Sequence, residues 1–241
     1  MAEIWKKITE VLKTDNPYKD IKSRYNQLML TMEQEMKALI EVSKQPIKTA
    51  LKLAILANII DFSARHEFDE QLVKDTLIQA DHTRLALDDS DKLFDALAHA
   101  RTLLYLGDNC GEIVIDKIFI RKIKQLYPGL KVIYGVRGQA IVNDVTLEDA
   151  QNVNMEDVAE IVSNGDGSLG TVLERTSTQF REVFLGSDVI IAKGQGNYEG
   201  LSENTRDHLF FLFMAKCDLV ARLIGAEKMS IVCVENHPAN R

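Results

Sequence analysis

Apolar residues recur at helical spacing through the first hundred positions. Ile4, Ile8, Val11 and Leu12 form one series, and Leu28, Leu30, Met32, Met36, Leu39 and Ile40 another; this is the period of helices with one buried face. Pro17 and Pro46 punctuate the segment where proline suits a first helical turn. A helix from about 46 to 62 is predicted to carry the run LKLAILANIIDF and to be buried on most sides. Residues 1–100 are expected to form an all-helical domain.

After Arg101 the pattern changes to short apolar runs, LLYLG, KVIYGV, AEIVS and DVIIAKG, each followed by a glycine-bearing loop or an amphipathic stretch. Such βα alternation predicts a mostly parallel sheet, so residues 101–241 are expected to form an α/β domain. No Pro/Gly/Ser-rich linker marks the boundary, and the helical part is expected to pack on the sheet. The sequence shows no internal repeat and no low-complexity tract.

Ligands of open α/β sheets collect beyond the carboxyl ends of the strands, and those positions are rich in chemistry. Asp108 and Asn109 follow LLYLG; a loop ending in Asn143, Asp144, Val145 and Thr146 follows KVIYGV; Lys193, Gly194, Gln195, Gly196 and Asn197 follow DVIIA. Two carboxylates and a carboxamide are hard oxygen ligands of the kind that magnesium or manganese accepts. A neighbouring lysine would offset phosphate charge, and acids for a metal beside a base for an anion suit phosphoryl transfer. A second reading stands beside this one: Asn109 with Glu112 has the spacing of a capping box, and residues 146–149 could begin another helix with Thr146 as its cap. Capping does not require Asp108 beside Asn109 or Asp144 beside Asn143.

Residues 165–170, GDGSLG, match GxGxxG after an apolar run and before an expected helix from 171 to 184. A dinucleotide site would need an acid at the end of the following strand, yet Asp188 opens that strand and Lys193 closes it. A glycine-rich turn or phosphate-facing loop is the alternative. Asn58 and Asp61 stand one turn apart on the apolar helix, either tying helix to sheet or lining the pocket.

Composition narrows the classes. A net charge of −7 and pI near 5.3 disfavour a nucleic-acid polymer or an anionic membrane as partner. Charged residues follow Met1, and no stretch approaches the ~20 apolar residues of a membrane span. Cys110, Cys217 and Cys233 are an odd number without CxxC spacing, which fits a reducing compartment. A cytoplasmic location is expected. Cys110, beside the site, has no histidine nearby in sequence to activate it and reads as a buried filler. The histidines His66, His82, His99, His208 and His237 lack metal-ligand spacing.

The runs GDNCGEIVID, VRGQAIVNDVT, VSNGDGSLG and SDVIIAKGQGNYEGL, with DNPYKDIKSRYNQL and LAILANIIDF upstream, resemble the damage-control phosphatase family, formerly domain of unknown function 89. The resemblance covers nearly the whole chain, and the motifs keep their order. It implies a Rossmann-like three-layer α/β/α core with an amino-terminal helical domain, and metal-dependent hydrolysis of phosphate esters on small metabolites or damaged cofactors. It places one divalent ion (magnesium, manganese, cobalt or nickel) on Asp108, Asn109 and Asp144. It places a substrate-facing loop on Gln195, Gly196, Asn197, Tyr198 and Glu199, and a phosphate-facing lysine on Lys216. Beside these, position in the sequence makes Lys193, which precedes the loop, the expected second cation, and Asn58 the residue expected to close the pocket from the helical side. The sequence departs from many bacterial and archaeal relatives in lacking a paired-cysteine segment at its amino terminus, which touches neither ligands nor loop. The nucleophile is water or Asp108, water being favoured because a ligating carboxylate attacks poorly. A nucleotide-cofactor oxidoreductase or methyltransferase, and a non-catalytic binder of a phosphorylated metabolite, are the rival readings.

Overall fold

The computed structural model describes residues 2–57, 75, 78–80 and 82–236. Asn58, Asp61, His66 and His237 lie outside the described residues. Three helices open the chain: α1 (Ala2–Leu12), α2 (Lys19–Val42) and α3 (Pro46–Leu56). Pro46 occupies the first turn of α3, where its missing N–H leaves no helical bond unmade. Met29, Met32, Met36 and Ile40 form the buried stripe of α2. The segment before residue 100 is not wholly helical, because Leu87–Asp88 form a short strand, β1, ahead of α4 (Ser90–His99).

The rest alternates strands and helices: β2 (Thr102–Leu106), α5 (Glu112–Leu126), β3 (Lys131–Val136), α6 (Leu147–Asn152), β4 (Glu160–Ser163), α7 (Thr178–Gly186), β5 (Val189–Lys193), α8 (Gly194–Leu201), β6 (Leu209–Met214), α9 (Asp218–Ile224) and β7 (Ile231–Glu235). These strands form one sheet in the order β1-β7-β6-β5-β2-β3-β4. β4, β3, β2, β5 and β6 run parallel; β7 is antiparallel to β6 and parallel to β1.

The pleat sends alternate side chains to opposite faces, and two apolar clusters result. Leu103, Tyr105, Val189, Ile191, Phe210 and Leu212 face the layer that contains α2, α3 and α5. Leu104, Leu106, Ile190, Ala192, Phe211 and Phe213 face Phe180 and Phe184 of α7, Tyr198 and Leu201 of α8, and Val220 of α9. The fold is therefore a three-layer α/β/α sandwich, and the amino-terminal helices supply part of one layer. One cluster runs continuously from Met29 and Leu53 through Ile113 and Phe119 to the sheet.

The chain passes from β2 outward to β3 and β4, then crosses back to β5 and proceeds to β6 on the other side. β2 and β5 are thus adjacent strands whose connections diverge, and a crevice opens at their carboxyl ends.

Candidate active site

Two tight turns frame that crevice. After β2 the chain runs through Gly107, Asp108, Asn109 and Cys110 to Gly111, whose φ of 79° admits α5 at Glu112. The Gly111 N–H donates to the Asn26 side chain of α2 at 2.6 Å, so a helix of the amino-terminal layer fixes the turn. After β5, Gly194 has φ of 81°, and a Cβ there would fall on the Asp108 carboxylate. Glycine at 194 lets the two strand ends close on each other.

The loop after β3 completes the frame. Asn109 and Asp144 form an isolated antiparallel bridge. The Cys110 N–H donates to the Asn143 carbonyl at 2.9 Å, and the Val145 N–H to that of Asp108 at 2.9 Å. The loop doubles back through Val142 at φ of 44°, a left-handed conformation strained for a β-branched residue. The structure thereby brings Asp108, Asn109 and Asp144 together, all buried. Among the described residues no three His, Cys, Asp or Glu side chains are grouped to hold a metal; the set here is two carboxylates and an amide.

Arg137, directly after β3, is the residue that motif spacing did not single out. It is 3% exposed. Its Nε donates to Asp144 Oδ2 at 2.7 Å, and its terminal nitrogens donate to Thr171 Oγ1 at 3.1 Å and Asn197 Oδ1 at 3.3 Å. Asp108 Oδ1 stands 3.9 Å from the guanidinium. Burial, reinforced by Glu112 and Asp144, nevertheless pushes the Asp108 carboxyl up to about 8, against the opposing pull of Arg137 and Lys216. Burial is the main cause, and the neighbouring carboxylates add to it.

The segment expected to be a substrate loop, Gln195 to Glu199, is instead part of α8. Tyr198 and Leu201 bury its apolar side, and Gly194 supplies the sharp entry. Asn197 is fully buried as the crevice's tie-rod: it donates to the Lys193 carbonyl at 2.7 Å and the Gly107 carbonyl at 3.3 Å, and accepts from Thr171 at 2.8 Å and Arg137. Gln195 reaches Glu199 at 2.7 Å and accepts the Lys216 N–H at 2.9 Å. That bond brings the residue after β6, half-buried Lys216, beside the start of α8.

Lys193 is placed differently from the expectation of a second phosphate cation. It is fully buried, on the same face of β5 as Val189 and Ile191. Its ammonium donates to Glu112 and, at 2.7 Å, to Asp116. Burial alone would lower its pKa; Asp116 and Glu112 outweigh burial and hold it above the ordinary value. Asp116 in turn accepts from Tyr105 at 2.7 Å and Tyr134 at 3.0 Å, and burial pushes its carboxyl up to about 6 despite Lys193. Lys193 is the hub of a network beneath the crevice floor.

The capping alternatives divide. Thr146 and Asp149 do form a capping box at the start of α6. Asn109 is not a cap, because α5 starts at Glu112 behind Gly111; its amide nitrogen donates to Asp108 Oδ2 at 2.7 Å and Glu112 Oε2 at 3.2 Å. Cys110 is buried with its thiol held well above the usual range by burial and by Asp149, which suits a filler. The GDGSLG segment does not open an α-helix: a single 3-10 turn at Leu173–Arg175 follows it, and α7 starts only at Thr178, so the glycines do not lead into an α-helix N-terminus of the kind that receives a dinucleotide phosphate. The segment instead packs Gly170 on the Gly196 carbonyl.

Beside the crevice, under α1, lies a cleft of about 950 Å³ lined by Trp5, Asn16, Arg137, Gln139, Glu148 and Arg175 among others. Trp5 closes it by donating from Nε1 to the Ala140 carbonyl at 2.8 Å. Among the described residues no helix is long and apolar enough to cross a membrane.

Comparison with known proteins places this geometry. A sequence model described as "Damage-control phosphatase ARMT1-like domain" matches residues 1–232. Damage-control phosphatase PH1575 of Pyrococcus horikoshii is 35% identical over 237 residues, 97% of this chain and 79% of the relative. A damage-control phosphatase of Archaeoglobus fulgidus is 32% identical over 226 residues, 93% of this chain and 77% of that one. The crystal structure of the Pyrococcus protein, described as a duf89 family protein, superposes with a TM-score of 0.88 at 34% identity, over 97% of this chain and 80% of the other. These relatives support a phosphatase, and hence a hydrolase. The chain belongs to the damage-control phosphatase ARMT1-like family.

Proposed function

We propose that the protein is a metal-dependent phosphatase that hydrolyses phosphate esters of small metabolites: sugar phosphates, nucleotides or damaged phospho-metabolites. The observation that carries this reading is the convergence of Asp108, Asn109 and Asp144 at the divergence of β2 and β5, locked by backbone bonds between the two loops. Their chemistry fits a hard divalent cation such as magnesium, manganese, cobalt or nickel. Electrostatics support the fit as well: burial first, and then the neighbouring carboxylates Glu112 and Asp144, push the Asp108 carboxyl up to about 8, a penalty that a bound cation would relieve.

Asp108 and Asp144 would hold the ion through carboxylate oxygens and Asn109 through its amide oxygen, because the amide nitrogen is engaged by Asp108 and Glu112. The bound cation supplies Lewis-acid polarisation of the phosphoryl group and a more acidic water. The protein's own groups do the rest. Arg137 keeps Asp144 in place and adds a positive charge within the cluster. Lys216, whose charge acts on Asp108 and whose backbone N–H is held by Gln195, is assigned as the phosphate-binding cation. Lys193 neutralises Glu112 and Asp116 rather than substrate. Water is the nucleophile in this reading, since Asp108 is committed as a ligand.

Gln195 and Glu199, at the solvent side of α8, are assigned to the leaving group; Asn197 shapes the crevice from within, with the Gly196 backbone beside it. The cleft under Trp5 adjoins at Arg137 and has room for a nucleotide-sized organic group. The cytoplasm, with its reducing thiols and phosphorylated metabolites, is the assigned compartment.

The test is phosphate release from a panel of sugar phosphates, nucleotides and an aryl phosphate, after chelator treatment and re-addition of each divalent ion. Release restored by metal supports the reading and ranks substrates. Folded protein that releases nothing with any metal would favour a binding role.

A further inference from the structure

Glu112 was legible in the sequence only as a helix-capping residue, yet it joins the crevice to the buried network below. It is 1% exposed on the first turn of α5. One carboxylate oxygen accepts from the Asn109 amide nitrogen at 3.2 Å, and the other from the Lys193 ammonium. Lys193 is also held by Asp116 at 2.7 Å, and Asp116 by the hydroxyls of Tyr105 and Tyr134. In this network the two tyrosine hydroxyls, the lysine ammonium and the Asn109 amide donate hydrogen bonds, and the two carboxylates accept them.

That polarity matters at Asn109. A carboxamide is nearly symmetric in shape, and whether it offers oxygen or NH₂ to a site is decided by its neighbours. Oxygen must face a cation. Asp108 also accepts from the Asn109 nitrogen, but it is itself assigned as a ligand, and its oxygens are the ones a cation would recruit. Glu112 is the acceptor that stays behind, because Lys193 holds it from beneath.

We infer that Glu112, anchored by Lys193, is a positioning residue that turns the Asn109 amide oxygen toward the cation. The inference rests on the reading of Asp108, Asn109 and Asp144 as ligands. Groups that orient ligands in this way typically contribute roughly 10–100-fold to metal affinity. Glutamine at 112 keeps the volume but can present NH₂ to Asn109, which favours the flipped amide.

The experiment is titration of the chelator-treated full chain with Mn²⁺, reading free ion by electron paramagnetic resonance, with urea unfolding in parallel. Glu112→Gln is expected to weaken Mn²⁺ binding roughly 10–100-fold while remaining folded. Glu112→Asp, which keeps a charge for Lys193 but withdraws it from Asn109, is expected to weaken binding in the same sense. Tyr105→Phe removes a buried bond to Asp116 without touching Asn109, and is expected to lower stability and leave Mn²⁺ affinity unchanged. Wild-type affinity in both Glu112 variants would reduce the residue to a structural ion pair and overturn the inference. A loss as complete as that of Asp144→Asn would make Glu112 a ligand and overturn it equally. If the wild-type chain itself binds no Mn²⁺, the ligand reading fails first, and this role goes with it.

Discussion

Arg137 and Asp144 form a buried ion pair in which Nε donates to Oδ2 at 2.7 Å. The pair sits where the loop after β3 meets the loop after β2, so it couples the fold of the crevice to its charge. Replacing Arg137 by methionine strips one partner from a buried pair, a change that costs about 3–5 kcal/mol. Urea unfolding of Arg137→Met is expected to show that loss, and added Mg²⁺ or Mn²⁺ to restore part of it. Equal stability for variant and parent would refute the coupling.

Proton release should accompany cation binding. Asp108 has a carboxyl raised from 3.8 to about 8, so between those values the folded protein keeps a proton that the unfolded chain has lost. Stability from this group is therefore greatest at the acid end, falls as pH rises through the window, and levels off above pH 8. A cation must displace that proton, and apparent affinity should rise with pH by up to about tenfold per unit below 8. Calorimetry at pH 7 in two buffers of different ionisation enthalpy is expected to show net proton release. Identical heats in both buffers would contradict it.

Gly194 admits nothing larger. A Cβ at this position meets the Asp108 carboxylate, and its φ of 81° is left-handed. Gly194→Ala is expected to lose roughly 1–2 kcal/mol from the backbone conformation alone and to displace Asp108, abolishing metal-dependent phosphate release. Gly129→Ala, where nothing stands within 4 Å, serves as the control and should release phosphate at the parental rate.

Much of this arrangement was readable along the chain, and the failures have physical causes. The runs LLYLG, KVIYGV and DVIIAKG became β2, β3 and β5 because their side chains fill apolar clusters on both faces of the sheet. β1 has two residues, too few to show a period. Arg137 stands at a strand end, where ligands were sought, but a basic residue in a loop reads as solvated until its acidic partners are placed around it. Lys193 follows the same rule in the wrong direction. Its alternation with Val189 and Ile191 put it on the α5 face, a signal present in the sequence that the strand-end argument overrode. The family resemblance implies a substrate-facing loop at Gln195 to Glu199; burial of Tyr198 and Leu201 makes the segment helical here despite its glycines. Asn58 lies outside the described residues.

The central claim is that Asp108, Asn109 and Asp144 hold the ion on which hydrolysis depends. It is tested most directly by phosphate release from chelator-treated protein supplied with Mg²⁺, Mn²⁺, Co²⁺ or Ni²⁺, with Asp144→Asn measured alongside and its fold checked by circular dichroism. The account predicts metal-restored release by the parent and none by the folded variant. Release by Asp144→Asn at the parental rate, or release by the parent that survives complete chelation, would contradict it.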